Sequence, residues 1–107
     1  MEWSVETLNA VVDAELEALP ADMRARIVRI AELIRAKGLP EVREPYVKHL
    51  EGKLWELRVR GRDGIARGVY VTAHERRVVF LRIFVKKTQK TPRSEIRLAL
   101  SRAKEVK

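Results

Sequence analysis

The sequence contains no cysteine, and this absence excludes three kinds of chemistry. Disulfide bridges, thiolate zinc sites and thiol nucleophiles all need the sulfur atom of a cysteine side chain. Only two histidines are present, which is too few to predict a metal site. We therefore expect a protein that uses neither a metal ion nor a cofactor.

Targeting signals and long apolar runs are also missing. No run approaches the roughly 18 to 20 apolar residues of a membrane-spanning helix. Residues 1–13 carry acidic side chains and lack the cationic and apolar segments of a signal peptide. The sequence therefore predicts a cytoplasmic protein without a membrane partner.

Positive charge is in excess and is unevenly distributed along the chain. The 23 Lys and Arg residues outnumber the 15 Asp and Glu residues, which gives a net charge of +8. Residues 1–40 have 5 basic and 7 acidic side chains, whereas residues 41–107 have 18 and 8, a net charge of +10. The second part is expected to meet an anionic partner, which charge alone leaves open among nucleic acid, acidic protein and anionic membrane.

The length predicts a single domain over residues 1–107. An apolar content of 46% in 107 residues supports one core but not two. The only linker-like stretch, residues 39–45, contains two prolines and is too short to separate domains. Any ligand site must therefore be built on the surface of one core.

The first part of the chain predicts a short strand followed by two helices. Residues 2–6 alternate between apolar and polar, as in a strand. A helical period begins at about Thr7 and ends at Pro20, and a second helical period runs to Lys37, with Gly38 as its C-cap. The predicted apolar stripes consist of Leu8, Val11, Val12, Leu16 and Leu19, then Met23, Ile27, Ile30, Leu33 and Ile34. Together these helices predict an antiparallel hairpin.

The second part predicts a three-stranded antiparallel meander. Residues 53–60 alternate as a half-buried strand, residues 61–64 form a turn, and residues 65–72 form the return strand. After a further turn at residues 73–76, an apolar strand begins at Val78. Strict alternation predicts one face with Val79, Leu81, Ile83 and Val85, and an opposite face with Val78, Phe80, Arg82 and Phe84.

A cluster of cations follows this strand, at the start of a predicted C-terminal helix. The cluster consists of Lys86, Lys87, Lys90 and Arg93. Thr91 is the predicted N-cap of the helix and Pro92 its first residue. The elements together predict an α+β fold, with the N-terminal helical hairpin packed on one face of a small, mostly antiparallel twisted sheet and a C-terminal helix.

Three segments resemble a known family. They are G-K-L-W-E-L-R at residues 52–58, G-I-A-R-G-V-Y at residues 64–70 and F-V-K-K-T-Q-K-T-P at residues 84–92. This pattern is similar to the phage-derived HigB-like branch of the RelE/ParE toxin superfamily. The resemblance implies a RelE-like fold and the toxin of a type II toxin–antitoxin pair, usually a ribosome-dependent endoribonuclease that cuts mRNA. It also implies a cognate antitoxin, often a helix-turn-helix DNA-binding protein.

RNA cleavage without a metal uses the 2′-hydroxyl group as nucleophile, so the protein must align it and stabilise charge at the phosphate. The candidates for charge stabilisation are Arg58, Arg67, Lys86 and Lys87. Glu56 is the predicted general base, and Tyr70 or a lysine is the predicted acid. The candidates for RNA binding are Lys53, Arg60, Arg82, Lys90 and Arg93. Arg82 stands where relatives often carry a histidine, which puts an imidazole role there in doubt.

Several of these residues have simpler interpretations. Glu56 and Arg58 can form an ordinary cross-strand ion pair on an exposed face, and Tyr70 can be a core residue. His49 and His74 are predicted to be lone surface residues near turns. For the whole protein, the alternative function is a non-catalytic inhibitor on the same fold, either a ParE-like DNA gyrase inhibitor or an RNA-binding module.

Overall fold

A five-stranded sheet organises the computed structural model, which describes residues 2–42 and 47–107. The strands are β1 (Ser4–Thr7), β2 (Val47–His49), β3 (Trp55–Gly61), β4 (Gly64–Ala73) and β5 (Arg77–Lys86), in the spatial order β1-β5-β4-β3-β2. Strands β3, β4 and β5 form the predicted antiparallel meander, and β2 pairs antiparallel with β3. Because β1 is parallel to β5, the sheet is mixed rather than antiparallel throughout.

The two outer strands differ in how well the sequence predicted them. The short first strand is confirmed as β1, whereas β2 was not predicted, because three residues are too few to show an alternating pattern. The predicted linker at residues 39–45 begins with a 3-10 helix, Leu39–Glu41. Residues 43–45 of that linker lie outside the described residues.

Helices α1 (Ala10–Glu17) and α2 (Ala21–Lys37) form the predicted hairpin. The first helix begins later than predicted because the preceding residues belong to β1. The side chain of Asn9 caps it and accepts hydrogen bonds from two backbone N–H groups at 3.1 and 3.2 Å. The C-cap prediction is confirmed, since Gly38 has a φ of 91° and donates its N–H to the Ile34 carbonyl at 2.7 Å.

The hairpin buries a narrower stripe than the sequence predicted. Val12, Met23 and Ile27 are buried against the sheet, but Val11 is 55% exposed and Leu33 is 42% exposed, so both were wrongly assigned to the core. A short two-helix layer can turn only one side of each helix to the sheet. In the described part of the chain, no helix is long and apolar enough to cross a bilayer.

Helix α3 (Arg93–Ala103) packs on the side of the sheet opposite the hairpin. We call the side under α1 and α2 the hairpin face and the side under α3 the α3 face. The hairpin face contributes Leu57, Val59, Ala66, Tyr70 and Phe80 to its core. The α3 face contributes Leu54, Val69, Val71, Leu81 and Phe84 to a second core, which Ile96 and Ala99 cover. The prediction of one core is therefore wrong, because the sheet buries apolar side chains on both of its faces.

A β-bulge in β5 overturns the predicted division of that strand into two faces. Tyr70 pairs with Phe80 and Val69 pairs with Arg82, so Leu81 has no opposing residue. One extra residue inverts the alternation beyond it. Ile83 therefore joins the hairpin face, and Leu81 and Arg82 both lie on the α3 face.

The start of α3 also differs from the prediction. Pro92 takes the N-cap position, and its carbonyl accepts the N–H groups of Glu95 and Ile96 at 3.1 and 3.3 Å. Thr91 is buried and does not cap the helix, because its hydroxyl group donates to the Glu56 carboxylate. The segment that enters α3 is thereby fixed to β3.

Candidate active site

Two arginines lie side by side on the α3 face. Arg58 of β3 is the register partner of Arg67 on β4, which is paired in turn with Phe84 on β5. The next row towards the strand ends holds Arg60 and Lys86, on either side of an isoleucine. The meander therefore brings together four of the cations that the sequence predicted to act on RNA.

Glu56 lies next to this row and is fully buried, with an exposed fraction of 0%. One carboxylate oxygen accepts a hydrogen bond from Nε of Arg58, and the other accepts from the hydroxyl group of Thr91. Nε of Arg67 lies 4.0 Å from the oxygen that accepts from Arg58. The predicted cross-strand ion pair on an exposed face is therefore wrong in both respects. Both residues lie on β3, and the segment that leads into α3 covers the pair. These contacts favour a positioning role for Glu56.

The loop between β5 and α3 folds over both guanidinium groups. Nη2 of Arg58 donates to the carbonyl of Gln89 at 2.6 Å. Nη2 of Arg67 donates to the Thr88 carbonyl and, at 3.0 Å, to that of Gln89. The backbone of this loop is therefore held by the two arginines, while the side chains of Lys86, Lys87 and Lys90 remain exposed around it.

Arg67 carries its charge in the interior of the protein. Its exposed fraction is 0%, and within the described residues its Nε and Nη1 atoms have no hydrogen-bond partner. Burial lowers the pKa of Arg67, the neighbouring Arg58 lowers it further, and Glu56 opposes both effects. One carboxylate faces two guanidinium groups, so this part of the surface keeps a surplus of positive charge. Such a surplus favours an anionic ligand.

Three other cations predicted to bind RNA differ in their position and in their contacts. Lys53 is exposed in the turn before β3. Arg60 is exposed at the end of β3, where its carbonyl accepts a hydrogen bond from Arg26. Arg93, the first residue of α3, is exposed and pairs with Glu51 at 2.6 Å. Their RNA contacts stay predictions.

Arg82 has carboxylate partners within the fold. Its guanidinium group donates to both oxygens of Glu95 at 2.8 and 3.1 Å, and lies 3.0 Å from Glu15 of α1. Glu15 also accepts from Arg102 at 2.9 Å and from the N–H of Ile83 at 3.0 Å. The hydrogen bond to Glu95, ahead of its other contacts, raises the pKa of Arg82. This network joins α1 and α3 to β5 and favours a structural role for Arg82 over RNA binding.

Tyr70 is separated from the cations by the sheet itself. It lies on the hairpin face, 1% exposed, with its ring edge-on to Phe80 at 5.8 Å between centroids. Burial raises the pKa of its hydroxyl group to about 12. The structure therefore supports the core interpretation of Tyr70 and does not bring it to the predicted catalytic group.

Residues 88–91 contribute more to the site than the sequence predicted. Thr91 was interpreted as a helix cap, and the carbonyls of Thr88 and Gln89 had no predicted role. The signal available in the sequence was the unusual Thr-Gln-Lys-Thr turn itself. Among the residues described, no group of three His, Asp or Glu side chains could hold a metal ion. The chemistry that the arrangement supports is the binding of an anion and the stabilisation of negative charge.

The same fold occurs in solved toxin structures. The free Escherichia coli toxin RelE, as an arginine-substituted mutant, has a TM-score of 0.67 at 14% identity, over 95% of this chain and 98% of that one. The archaeal RelE–RelB complex from Pyrococcus horikoshii gives 0.56 at 19% identity, over 84% of this chain and 100% of that one. At such identities the likeness shows the fold alone. A comparison with curated protein sequences finds no match.

Sequence similarity identifies the family more directly. Residues 14–104 match the family of phage-derived Gp49-like proteins, so the match spans most of the chain. The solved structures confirm the RelE-like fold that the resemblance implied. The chain belongs to the phage-derived Gp49-like family.

Proposed function

We propose that the protein is the toxin of a type II toxin–antitoxin pair and acts in the cytoplasm as a ribosome-dependent, metal-independent endoribonuclease on mRNA. The observation that carries this proposal is the pair Arg58 and Arg67 beside one buried carboxylate, which accepts a hydrogen bond from Arg58, with exposed lysines around the pair. Membership of the Gp49-like family and the RelE fold support it.

In this mechanism cationic side chains, rather than a metal ion, stabilise the negative charge of the phosphate. The exposed lysines Lys86 and Lys87 draw the phosphate backbone to the α3 face, and Arg58 meets the scissile phosphate as negative charge develops on its oxygens. The buried charge of Arg67 adds to the positive potential at the same phosphate. The 2′-oxygen attacks phosphorus while its proton passes to water, and the bond from phosphorus to the 5′-oxygen breaks. We assign the protonation of that oxygen to a lysine at the strand end, since Tyr70 lies on the other face.

An antitoxin is the expected protein partner. A toxin–antitoxin complex is among the proteins with the same fold. In the described structure a groove of about 1020 Å³ runs between α2 and β3. Its lining combines apolar side chains, including Ile30, Leu33 and Val59, with three arginines and two glutamates, so its charge is net positive by one: Arg26, Arg29, Arg60, Glu32 and Glu41. An acidic amphipathic segment of the antitoxin matches this lining in both charge and polarity.

Mapping mRNA ends by primer extension after brief expression tests the proposal. Discrete new 5′ ends within translated regions, absent when translation is blocked, are the expected result. A supercoiling assay with DNA gyrase, run beside it, tests the alternative of a gyrase inhibitor. Loss of supercoiling without mRNA cleavage overturns the endoribonuclease proposal.

A further inference from the structure

A row of four aromatic side chains crosses the hairpin face of the sheet. Phe80, Tyr70, Trp55 and His49 are in register on the neighbouring strands β5, β4, β3 and β2. Phe80 and Tyr70 are buried, whereas Trp55 is 40% exposed and His49 is exposed. The row therefore begins in the core and ends as two accessible rings at the edge of the sheet.

His49 and Trp55 form a fixed pair. Their ring centroids are 4.9 Å apart and their planes are tilted by 60°. Nε2 of His49 lies 2.8 Å from the carbonyl oxygen of Gly52, and because a carbonyl only accepts, this nitrogen donates. The surface position predicted for His49 is confirmed, but the residue is not solitary. The hydrogen bond holds its imidazole beside the indole and presents a preformed aromatic surface.

The surroundings of this pair are cationic. Lys48 precedes His49 on the edge strand, and Lys53 lies in the turn before Trp55; both are exposed. The nearby carboxylate of Glu51 is already paired with Arg93. No ion pair involves either ammonium group among the residues that the structure describes. Accessible rings beside such cations suit single-stranded nucleic acid, because the rings stack on bases and the cations meet phosphates.

We propose that Trp55 and His49 form a stacking subsite for one nucleobase of single-stranded RNA. The proposal rests on the proposed function for the identity of the polymer. Strand β2 forms one edge of the described sheet, and its successive side chains point to opposite faces. Lys48 is the register partner of Glu56 and lies on the α3 face, whereas His49 lies on the hairpin face. An RNA strand that crosses this edge meets a cation and then the tilted pair of rings.

The subsite is testable by fluorescence, because the chain has only two tryptophans. Trp3 packs against the hairpin core near Gly38, so Trp3→Phe leaves Trp55 as the sole reporter. We expect short single-stranded RNA to quench the emission of Trp55. An abasic ribose-phosphate oligomer of equal length should bind more weakly and leave the emission unchanged. Quenching by both oligomers, or by neither, contradicts stacking.

Substitutions separate stacking from charge. Trp55→Ala should weaken RNA binding about five- to hundredfold, the usual cost of losing one base–aromatic stack, while the salt dependence keeps its slope. Trp55→Phe should retain most of the affinity. The matched control Lys53→Ala should reduce the slope by about 0.7, the value for one phosphate of a single strand. A Trp55→Ala protein that is folded by circular dichroism and binds as tightly as the wild type overturns the proposal.

Cleavage on programmed ribosomes, measured with the same Trp3→Phe protein, keeps this inference distinct from the proposed function. Cleavage without quenching by RNA removes only the stacking subsite. Quenching without cleavage keeps the subsite and removes the endoribonuclease. If an acidic protein partner shifts the emission of Trp55 and RNA does not, the surface is a protein interface and the inference fails.

Discussion

The carboxylate of Glu56, buried in β3, accepts a hydrogen bond from the hydroxyl group of Thr91, the residue before the α3 cap. The same carboxylate accepts from Arg58. One buried acid therefore orients an arginine of the candidate site and fixes the segment that enters the last helix. Replacing this carboxylate is therefore expected to change both the stability of the fold and the geometry of the candidate site.

Thr91→Val should reduce the free energy of unfolding by about 1.5 to 3 kcal/mol, because a buried charged acceptor loses a hydrogen bond. Thr91→Ser keeps the hydroxyl group and should restore most of this loss. Thr88→Val is the matched control on the exposed part of the loop, with an expected change within about 0.5 kcal/mol. Urea unfolding at neutral pH measures all three. Equal stability of the valine and serine variants contradicts the role of the hydrogen bond.

Replacing Arg58 or Lys86 with alanine should reduce cleavage by roughly ten- to a thousandfold, on the scale of losing one preorganised donor in the transition state. Ribosome association should fall much less, because many cations share the docking energy. Arg58→Lys should also impair cleavage, since an ammonium group cannot reproduce the two-point contact of a guanidinium with phosphate. Single-turnover cleavage on programmed ribosomes, with binding measured in parallel, gives both quantities.

Arg67 needs a gentler substitution because it is buried. Arg67→Lys keeps a positive charge and is expected to lower cleavage on the same scale. Circular dichroism first establishes that the variant is folded. If cleavage and binding decline together in the Arg58, Arg67 and Lys86 variants, these residues only dock the protein on its target.

The salt dependence of RNA binding should identify the face that meets RNA. Removing Lys86 and Lys87 together should lower the slope of log affinity against log salt by about 1.4, because each phosphate of a single strand that is no longer neutralised lowers it by about 0.7. Replacing Arg24 and Arg29 of α2 removes the same charge from the hairpin and should leave the slope nearly unchanged. Titrations at several salt concentrations measure this. Equal effects of the two pairs indicate nonspecific attraction.

Tyr70 makes stability depend on pH in the alkaline range. Its pKa of about 12 in the folded protein exceeds the usual value of 10.0, so between these values the unfolded chain loses a proton that the folded chain keeps. The contribution of Tyr70 is complete below pH 10 and is lost as pH rises towards 12. Tyr70→Phe should remove this loss, which amounts to about 2 kcal/mol. Chemical unfolding of both proteins at pH 8 to 11.5 tests it.

The same variant tests the position of Tyr70. Because the hydroxyl group lies on the hairpin face, Tyr70→Phe should retain cleavage to within about threefold, far less than the loss of a positioned acid, which is typically ~10²-fold or more. A larger loss of cleavage in a folded protein would return Tyr70 to the catalytic group.

Arg82 should affect stability more than RNA binding. Arg82→Ala leaves Glu95 and Glu15 without their shared partner and should cost about 1 to 3 kcal/mol of unfolding free energy. Arg97→Ala, on the exposed side of α3, is the control and should change little. Thermal unfolding and RNA titration of both variants provide the comparison. Loss of RNA affinity in a stable Arg82→Ala protein would restore the predicted contact.

The pairing of Arg58 with Arg67 could be predicted from the sequence, because the turn between Gly61 and Gly64 fixes the register of its two strands. The division of β5 into two faces could not be predicted in this way. The bulge at Leu81 occurs just beyond the end of β1, where side chains of other elements bind the free edge: Glu15 accepts the Ile83 N–H, and Arg102 donates to the Leu81 carbonyl at 2.8 Å. No local pattern contains those distant partners.

Thr91 shows the same limit on a smaller scale. A threonine before a proline is a reasonable helix cap when only the local sequence is considered. Its hydroxyl group binds instead to Glu56, a carboxylate that is distant in sequence and whose burial depends on α3. A buried carboxylate oxygen without a hydrogen-bond donor costs more than an uncapped helix end, so the tertiary contact prevails over the local preference.

The parallel pairing of β1 with β5 makes the folding of the sheet strongly non-local. Partners such as Ser4 and Arg77 are separated by most of the chain, and closing so long a loop costs entropy before any contact forms. A nascent chain that has not yet released β5 therefore has neither a complete sheet nor the loop that joins its arginines. Under the proposed function, the surface that acts on the ribosome is therefore absent from a chain until β5 and the loop that follows it have been synthesised.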